Sequence, residues 1–388
     1  MNSKERVLTT FHHQEPDRVP VGEYDIDEPI ASQIMGREMW VGYGGSHRGL
    51  RANRMILEGR MDEYYQREAN DWVALVRHLE LDFMYIAPRP KKFIKPVLLR
   101  ENVWRFGEPD SDHWSTWQFM PDSDTYGEID SALVHGGFDL FEQYIKEAET
   151  ATHSLDGLEF KEVEWVIGEI GDTHFLMADA DLYLGLYSAA APLILEAFVV
   201  RPDLIERCLA VNVRNMLPLL DKLATLGIPA VIGGEDWAGS SGPLVSPRHF
   251  RKLVLPYLKQ MVDACHARGL LYIKHTDGNI NRIAQEMLAE SGADGYQAIE
   301  PAAGMEISRL KQEYGKNLTL MGNIDCGELL CHGTPQQVAD VTRHTIQTAA
   351  PGGGFMLTSS NSIHHGVPVK NYLAMLEAAR KYGSYPIH

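Results

Sequence analysis

Short apolar runs alternate along this chain with longer stretches in which apolar residues return every three or four positions. The first pattern is that of buried strands, the second that of amphipathic helices. The strand-like runs are "RVPVGEY" (18–24), "LDFMYIAP" (81–88), "HFLMAD" (174–179), "PAVIGGEDW" (229–237), "LLYIKH" (270–275), "ADGYQAIEP" (293–301), "LTLMGNID" (318–325) and "GFMLTSS" (354–360). The clearest helix spans 247–267, where Phe250, Leu253, Val254, Tyr257, Leu258, Met261, Val262 and Cys265 repeat at helical spacing. Pro256 falls inside it and predicts a kink. Ser3 can cap a first helix carrying Val7, Leu8 and Phe11. Further helices are expected over 61–79, 138–150, 204–226, 280–291, 305–314 and 369–381, and one opens at Thr334-Pro335, with a cap and a proline at the first helical position.

Strands that alternate with helices across short connections mean parallel βα units. At least seven strands can be read. No glycine-rich dinucleotide or phosphate loop follows the first of them. An eight-stranded (β/α)8 barrel in one domain, 1–388, fits this order better than a doubly wound sheet. Residues from about 100 to 170 break the rhythm and read as an elaboration. Within it, 100–120 looks like a hairpin turning near 109–112, with Trp104, Trp114 and Trp117 clustered on it.

Composition narrows the class. The 388 residues are 44% hydrophobic and 23% charged, ordinary globular values, with a net charge of −17. No basic stripe supports nucleic-acid binding. The four cysteines form no CxxC and are too few for a disulfide scaffold. No apolar run is long enough for a membrane span, and residues 1–20 lack a secretory apolar core. A cytoplasmic protein is expected.

In βα barrels the chemistry collects where strands end. Here those ends carry Glu23, Tyr24 and Asp25; Asp179 and Asp181; Glu235, Asp236 and Trp237; His275 and Asp277; Gln297 and Glu300; Asn323, Asp325 and Cys326; and Ser360, Asn361 and His364. In an extended segment residues i and i+2 face the same side, so His275 and Asp277 project together. This acidic rim suits a metal or carboxylate acid–base work. Asp236 and Asp325 can equally cap the helices that follow them, and Cys326 can equally be a small packed residue. His275, Asp277, Glu235 and Asp236 are the candidate catalytic groups. Glu23, Tyr24, Trp237, Gln297, Asn323 and Asn361 are the candidate substrate contacts.

Several stretches resemble the uroporphyrinogen decarboxylase superfamily: "SKERVLTTFHHQEPDRVPVGEY", "GPLVSPRHFRKLVLPYLKQM", "KHTDGNI", "LMGNIDC" and "GGGFMLTSSNSIHHGVPVKNYLAML". The resemblance implies a distorted βα barrel with an N-terminal helical extension, and it offers two chemistries. The decarboxylases grip a tetrapyrrole's carboxylates through an arginine-bearing segment after the first strand. Here that place reads "GEYDIDEPI", with no arginine before Arg37, and acids there would repel such a substrate. The corrinoid-dependent methyltransferases hold zinc through His-x-Cys at one strand end and a cysteine in the final strand turn. His275 matches the histidine, whereas Asp277 and Asn361 stand where the cysteines would be.

A harder donor set suits oxygen ligands better than thiols. The resemblance therefore implies transfer of a methyl group from a small O-methylated substrate, an aromatic one included, to the cobalt of a corrinoid on a separate carrier protein. Zinc is the implied metal, with His275, Cys326 and Glu300 as its candidate ligands. The alternatives are a decarboxylase-like lyase acting on a carboxylated substrate and a binding protein on an inherited barrel. Barrels of this superfamily often pair, so a homodimer is also expected.

Overall fold

The computed structural model describes residues 1–151 and 153–388. Runs that are apolar on both faces make parallel strands covered on both sides. Seven of them form one curled sheet: β1 (Phe83–Ile86), β2 (Phe175–Asp179), β3 (Ala230–Gly233), β4 (Leu271–His275), β5 (Gly295–Ile299), β6 (Thr319–Ile324) and β7 (Phe355–Ser359). Neighbours in the sheet follow chain order throughout. Side chains alternate between two compartments. On β2, Phe175 and Met177 point into the barrel, while Leu176 and Ala178 point out toward the helices. The architecture is the expected TIM-like barrel.

The eighth stave differs from expectation. Residues 19–22 make single bridges rather than a regular strand. On one side Gly22 N–H donates to Leu357 O (3.2 Å) and Leu357 N–H to Pro20 O (2.9 Å); on the other, Asp82 N–H donates to Val21 O (2.7 Å). Pro20 has no N–H to extend the ladder. The buried Asp82 carboxylate strengthens this seam. It accepts Val21 N–H (2.8 Å) and pairs with Arg6 (2.6 Å) and Arg18 (2.7 Å).

Arg6 belongs to α1 (Ser3–Phe11), whose cap is Asn2 rather than Ser3: the Asn2 side chain accepts Glu5 N–H. Val7 and Phe11 of α1 complete the inner apolar cluster, and the Phe11 ring stacks on Phe175 at 5.6 Å. Lys4 N–H bonds to Thr173 O just before β2. The N-terminal helix therefore plugs the amino end of the barrel and leaves the carboxyl end for a site.

The long helix breaks where Pro256 demands it. One turn, Pro247–His249, widens through Phe250–Val254 and restarts as α2 (Leu255–His266), with Pro256 in the first turn, where its missing N–H costs nothing. Likewise, much of the expected 280–291 helix is the wide-turned Gln285–Glu290. The hairpin forms as expected: Val103–Phe106 pairs antiparallel with Ser115–Met120, and Trp104 faces Trp117. It lies in a four-stranded sheet within residues 97–131. Glu128 of that sheet accepts Ala189 N–H (3.2 Å), which ties the elaboration to the loop beyond β2. Among the described residues no helix is long and apolar enough to cross a membrane.

Candidate active site

Ile273 of β4 faces the barrel interior. His275, two residues on, takes the same side at the strand's carboxyl end. Its Nδ1 hydrogen-bonds the side-chain oxygen of Gln297 on β5. With that oxygen as acceptor, Nδ1 carries the proton and Nε2 presents a lone pair. Nε2 lies 3.7 Å from Asp277 Oδ1 and 4.0 Å from Asp236 Oδ1. Asp277 N–H donates to Asp236 Oδ1 (2.7 Å), and Asn361 Nδ2 donates to Asp277 Oδ2 (2.5 Å). The Tyr24 ring covers the imidazole, stacked at 4.5 Å and 14°. Burial pushes the Asp277 carboxyl up to about 6; His275 pulls it down, and the neighbouring Asp236 and Glu300 carboxylates push it further up.

These residues fit a divalent cation. One donor atom each from Asp236, His275 and Asp277 lies within 4.8 Å of the others. Asp277 Oδ1 is buried without a hydrogen-bond partner, and so is Gln297 Nε2 just behind the imidazole. A buried oxygen left unpaired is costly unless a proton or cation meets it. An imidazole with its far nitrogen pinned by a neighbouring side chain is the usual arrangement of a metal-binding histidine.

Other expected residues stand elsewhere. Glu235 turns away from His275: its carboxylate accepts the N–H groups of Leu186 (2.8 Å) and Leu184 (3.2 Å), and burial raises it to about 7. Trp237 lies in the core, edge-on to Phe250 (5.4 Å) and Phe198 (6.4 Å), so its ring packs and does not line the mouth. Asn323 faces Thr345 on the outer helix Pro335–Ala349.

Cys326 takes a hydrogen bond from Ser360 (3.4 Å) and keeps company with Cys331 and His364 rather than His275. Its thiol is raised by burial, which disfavours the thiolate. Glu300 accepts Gly278 N–H (2.9 Å) and stays outside the three-donor group. Asp325 accepts the N–H groups of Gly327 and Glu328 and so caps the short helix that follows. Glu23 is buried at the last strand, where it accepts Ser359 Oγ–H (2.6 Å), and burial raises it to about 8.

Tyr24, an expected substrate contact, belongs to an aromatic wall whose other members the sequence reading missed. Tyr24, Tyr43 and Tyr85 pack together with ring centroids 5.5–6.3 Å apart. With Tyr65 and Trp72 they line a cavity of about 300 Å³ beside β1. Arg48 sits over the Tyr43 ring at 4.7 Å and pairs with Glu68 (3.2 Å). Tyr85 could have been found, since it alternates with the apolar residues of β1. Tyr43 and Arg48 lie in "GYGGSHRG", where no periodicity marks them. A second group, Asp27, Asp124 and His365, also brings three donor atoms within 4.8 Å. Its carboxylates already accept backbone N–H groups from Gly44, His365 and Ser46.

The family model described as uroporphyrinogen decarboxylase (URO-D) matches residues 176–382, more than half of the chain. The chain belongs to this family. Relatives of the chain carry different activities in their names. Uroporphyrinogen decarboxylase 2, chloroplastic, of Oryza sativa subsp. japonica is 26% identical over 188 residues, 46% of this chain and 43% of that protein. The match thus spans less than half of that relative's length. The methylcobamide:CoM methyltransferase MtbA of Methanosarcina acetivorans is 24% identical over 143 residues, 37% of this chain and 40% of that one. Among solved structures, a methyltransferase from Methanosarcina mazei superposes with a TM-score of 0.67 at 14% identity and covers 98% of this chain and 99% of its own. At that identity the superposition establishes the fold and not the chemistry.

Proposed function

We propose that this member of the family moves a methyl group from a small O-methylated substrate to the cobalt of a corrinoid held on a separate carrier protein. The observation that carries the reading is the His275 constellation: an imidazole nitrogen aimed at two carboxylates at the barrel mouth, pinned from behind by Gln297. An alkoxide or phenolate leaves poorly, so its oxygen needs a proton or a Lewis acid. Zinc held by His275, Asp236 and Asp277 would supply the Lewis acid, and a reduced corrinoid would supply the nucleophile.

This chain's own residues do the rest. Gln297 holds the imidazole in one tautomer. Asn361 orients Asp277. Tyr24 shields one face of His275 from water. Asp277, raised to about 6, keeps a proton to higher pH than an ordinary aspartate but is mostly ionised at neutral pH, and so is available to a cation. The cavity lined by Tyr24, Tyr43 and Tyr85 has room for an aromatic ring; Tyr24 is shared between its wall and the cover of His275, while His275, Asp236 and Asp277 do not line it. A polycarboxylate is a poor occupant. Asp236, Asp277 and Glu300 crowd the mouth, and Arg48, the cation on the cavity wall, is already paired with Glu68.

The test is methylcobalamin formation from free reduced cobalamin and a panel of aryl and alkyl methyl ethers, with metal content measured in parallel. Wild type is expected to methylate cobalamin and to carry near-stoichiometric zinc. His275→Ala is expected to lose the zinc and about 100-fold or more of the activity while staying folded. A folded His275→Ala protein with wild-type turnover would overturn the assignment. Decarboxylation of a tetrapyrrole carboxylate without methyl transfer would restore the lyase reading.

A further inference from the structure

The chain leaves the carboxyl end of β1 at Ile86 and runs outward before it enters the four-stranded sheet. Pro88 and Pro90 still line the cavity next to Tyr24. Arg89, between them, is anchored to Glu162 (2.9 Å) and Asp62 (2.5 Å). Beyond that anchor the character changes. Lys91, Lys92, Lys95 and Arg100 are all exposed. Between them Ile94, Val97, Leu98 and Leu99 are 46–60% exposed.

Among the described residues none of these four cations has a carboxylate within 4.0 Å, although the chain as a whole carries a net charge of −17. Among the described residues Val97–Arg100 is also an edge strand, paired on one side only. One row of its backbone N–H and C=O groups is therefore free. Native edges are normally blunted by charge, but three consecutive exposed apolar residues do the opposite. Unpaired cations, exposed apolar side chains and an open edge thus coincide on one stretch that leads away from the barrel mouth.

We propose that this stretch docks a protein partner that presents an acidic extended segment, which adds as a further strand beside Val97–Arg100. Backbone pairing supplies the affinity, while the lysines and Arg100 select an acidic sequence. A second copy of this chain is a worse occupant, because pairing the two edges would bring both basic stretches together. An anionic bilayer would attract the lysines but leave the open backbone row unpaired. Identifying the partner with the carrier of the methyl acceptor rests on the methyl-transfer reading; the docking surface does not.

The test uses the intact protein and a fluorescein-labelled peptide of alternating Glu and Val, read by fluorescence anisotropy. Wild type is expected to bind it, to ignore the Lys/Val counterpart, and to bind more weakly as salt rises. The triple variant Lys91→Glu, Lys92→Glu, Lys95→Glu is expected to lose about tenfold or more in affinity at an unchanged melting temperature. Leu98→Asp is expected to weaken binding as well, and His275→Ala to bind as wild type. No methyl donor or corrinoid enters this assay, so the fate of the methyl-transfer reading leaves its outcome standing. Equal binding by wild type and the triple variant would overturn the proposal. So would adsorption to phosphatidylserine vesicles without peptide binding, or a dimer that the triple variant abolishes.

Discussion

His275 owes its direction to Ile273, because alternation along β4 carries the inward side of the strand to its last residue. In the proposed site the imidazole relies on Gln297, whose oxygen, as acceptor, leaves the ring proton on Nδ1. Gln297→Leu keeps the volume and removes the acceptor. On the proposed zinc reading, zinc affinity is expected to fall about 10–100-fold, the usual cost of losing such a support, and Gln297→Glu is expected to retain binding. Metal titration of the purified variants checks both. At this scale the sequence located the histidine and both carboxylates but could not sort their neighbours. Glu235, Asp236 and Trp237 are consecutive, and only Asp236 joins His275. Beyond the last hydrogen-bonded residue of β3 the chain turns, and period-two alternation no longer says where a side chain points.

At the scale of elements, the barrel closes through a seam of few hydrogen bonds backed by one buried carboxylate. Asp82, the residue just before β1, holds α1 through Arg6 and the segment 19–22 through Val21 N–H. Removing it leaves Arg6 and Arg18 partly buried without this partner. Asp82→Ala is expected to cost about 3–5 kcal/mol, as breaking a buried ion pair usually does, measured by urea unfolding. A loss within about 0.5 kcal/mol would mean that the apolar plug of Val7 and Phe11 closes the barrel unaided. The order of strands and helices was legible because each repeats its own hydrophobic period. The seam was not, because 19–22 reads as an ordinary strand until its pairing partners, some 60 and 335 residues away, are known.

Across the whole molecule, several carboxyls are buried with their acid strength reduced, and this couples stability to pH. Glu23 is raised by burial to about 8, from the ordinary value of 4.5. Between those values the unfolded chain ionises at this position while the folded one stays protonated. Unfolding then releases a proton, so stability falls as pH rises from about 4.5 to about 8 and levels off above. Glu235, raised to about 7, acts in the same direction over a narrower window. Glu23→Gln is expected to flatten the decline in melting temperature between pH 5 and 8 and to be the more stable protein at pH 8, by on the order of a few kcal/mol. Parallel pH-dependent profiles for the two proteins would show that Glu23 ionises freely in the fold.

By itself the sequence indicated the barrel, an N-terminal helix, the hairpin and the family, and it named His275, Asp236 and Asp277 among its candidate groups. Hydrophobic periodicity and short motifs are local properties, written in residues a few positions apart. Tertiary structure decided which strand-end groups meet. Asn361 reaches Asp277 across 84 residues of sequence, and Gln297 reaches His275 across 22. It placed Tyr24 over the imidazole, sent Trp237 into the core and left Cys326 with Ser360. Those outcomes follow from barrel closure, which sets distances between strand ends that no spacing along the chain encodes.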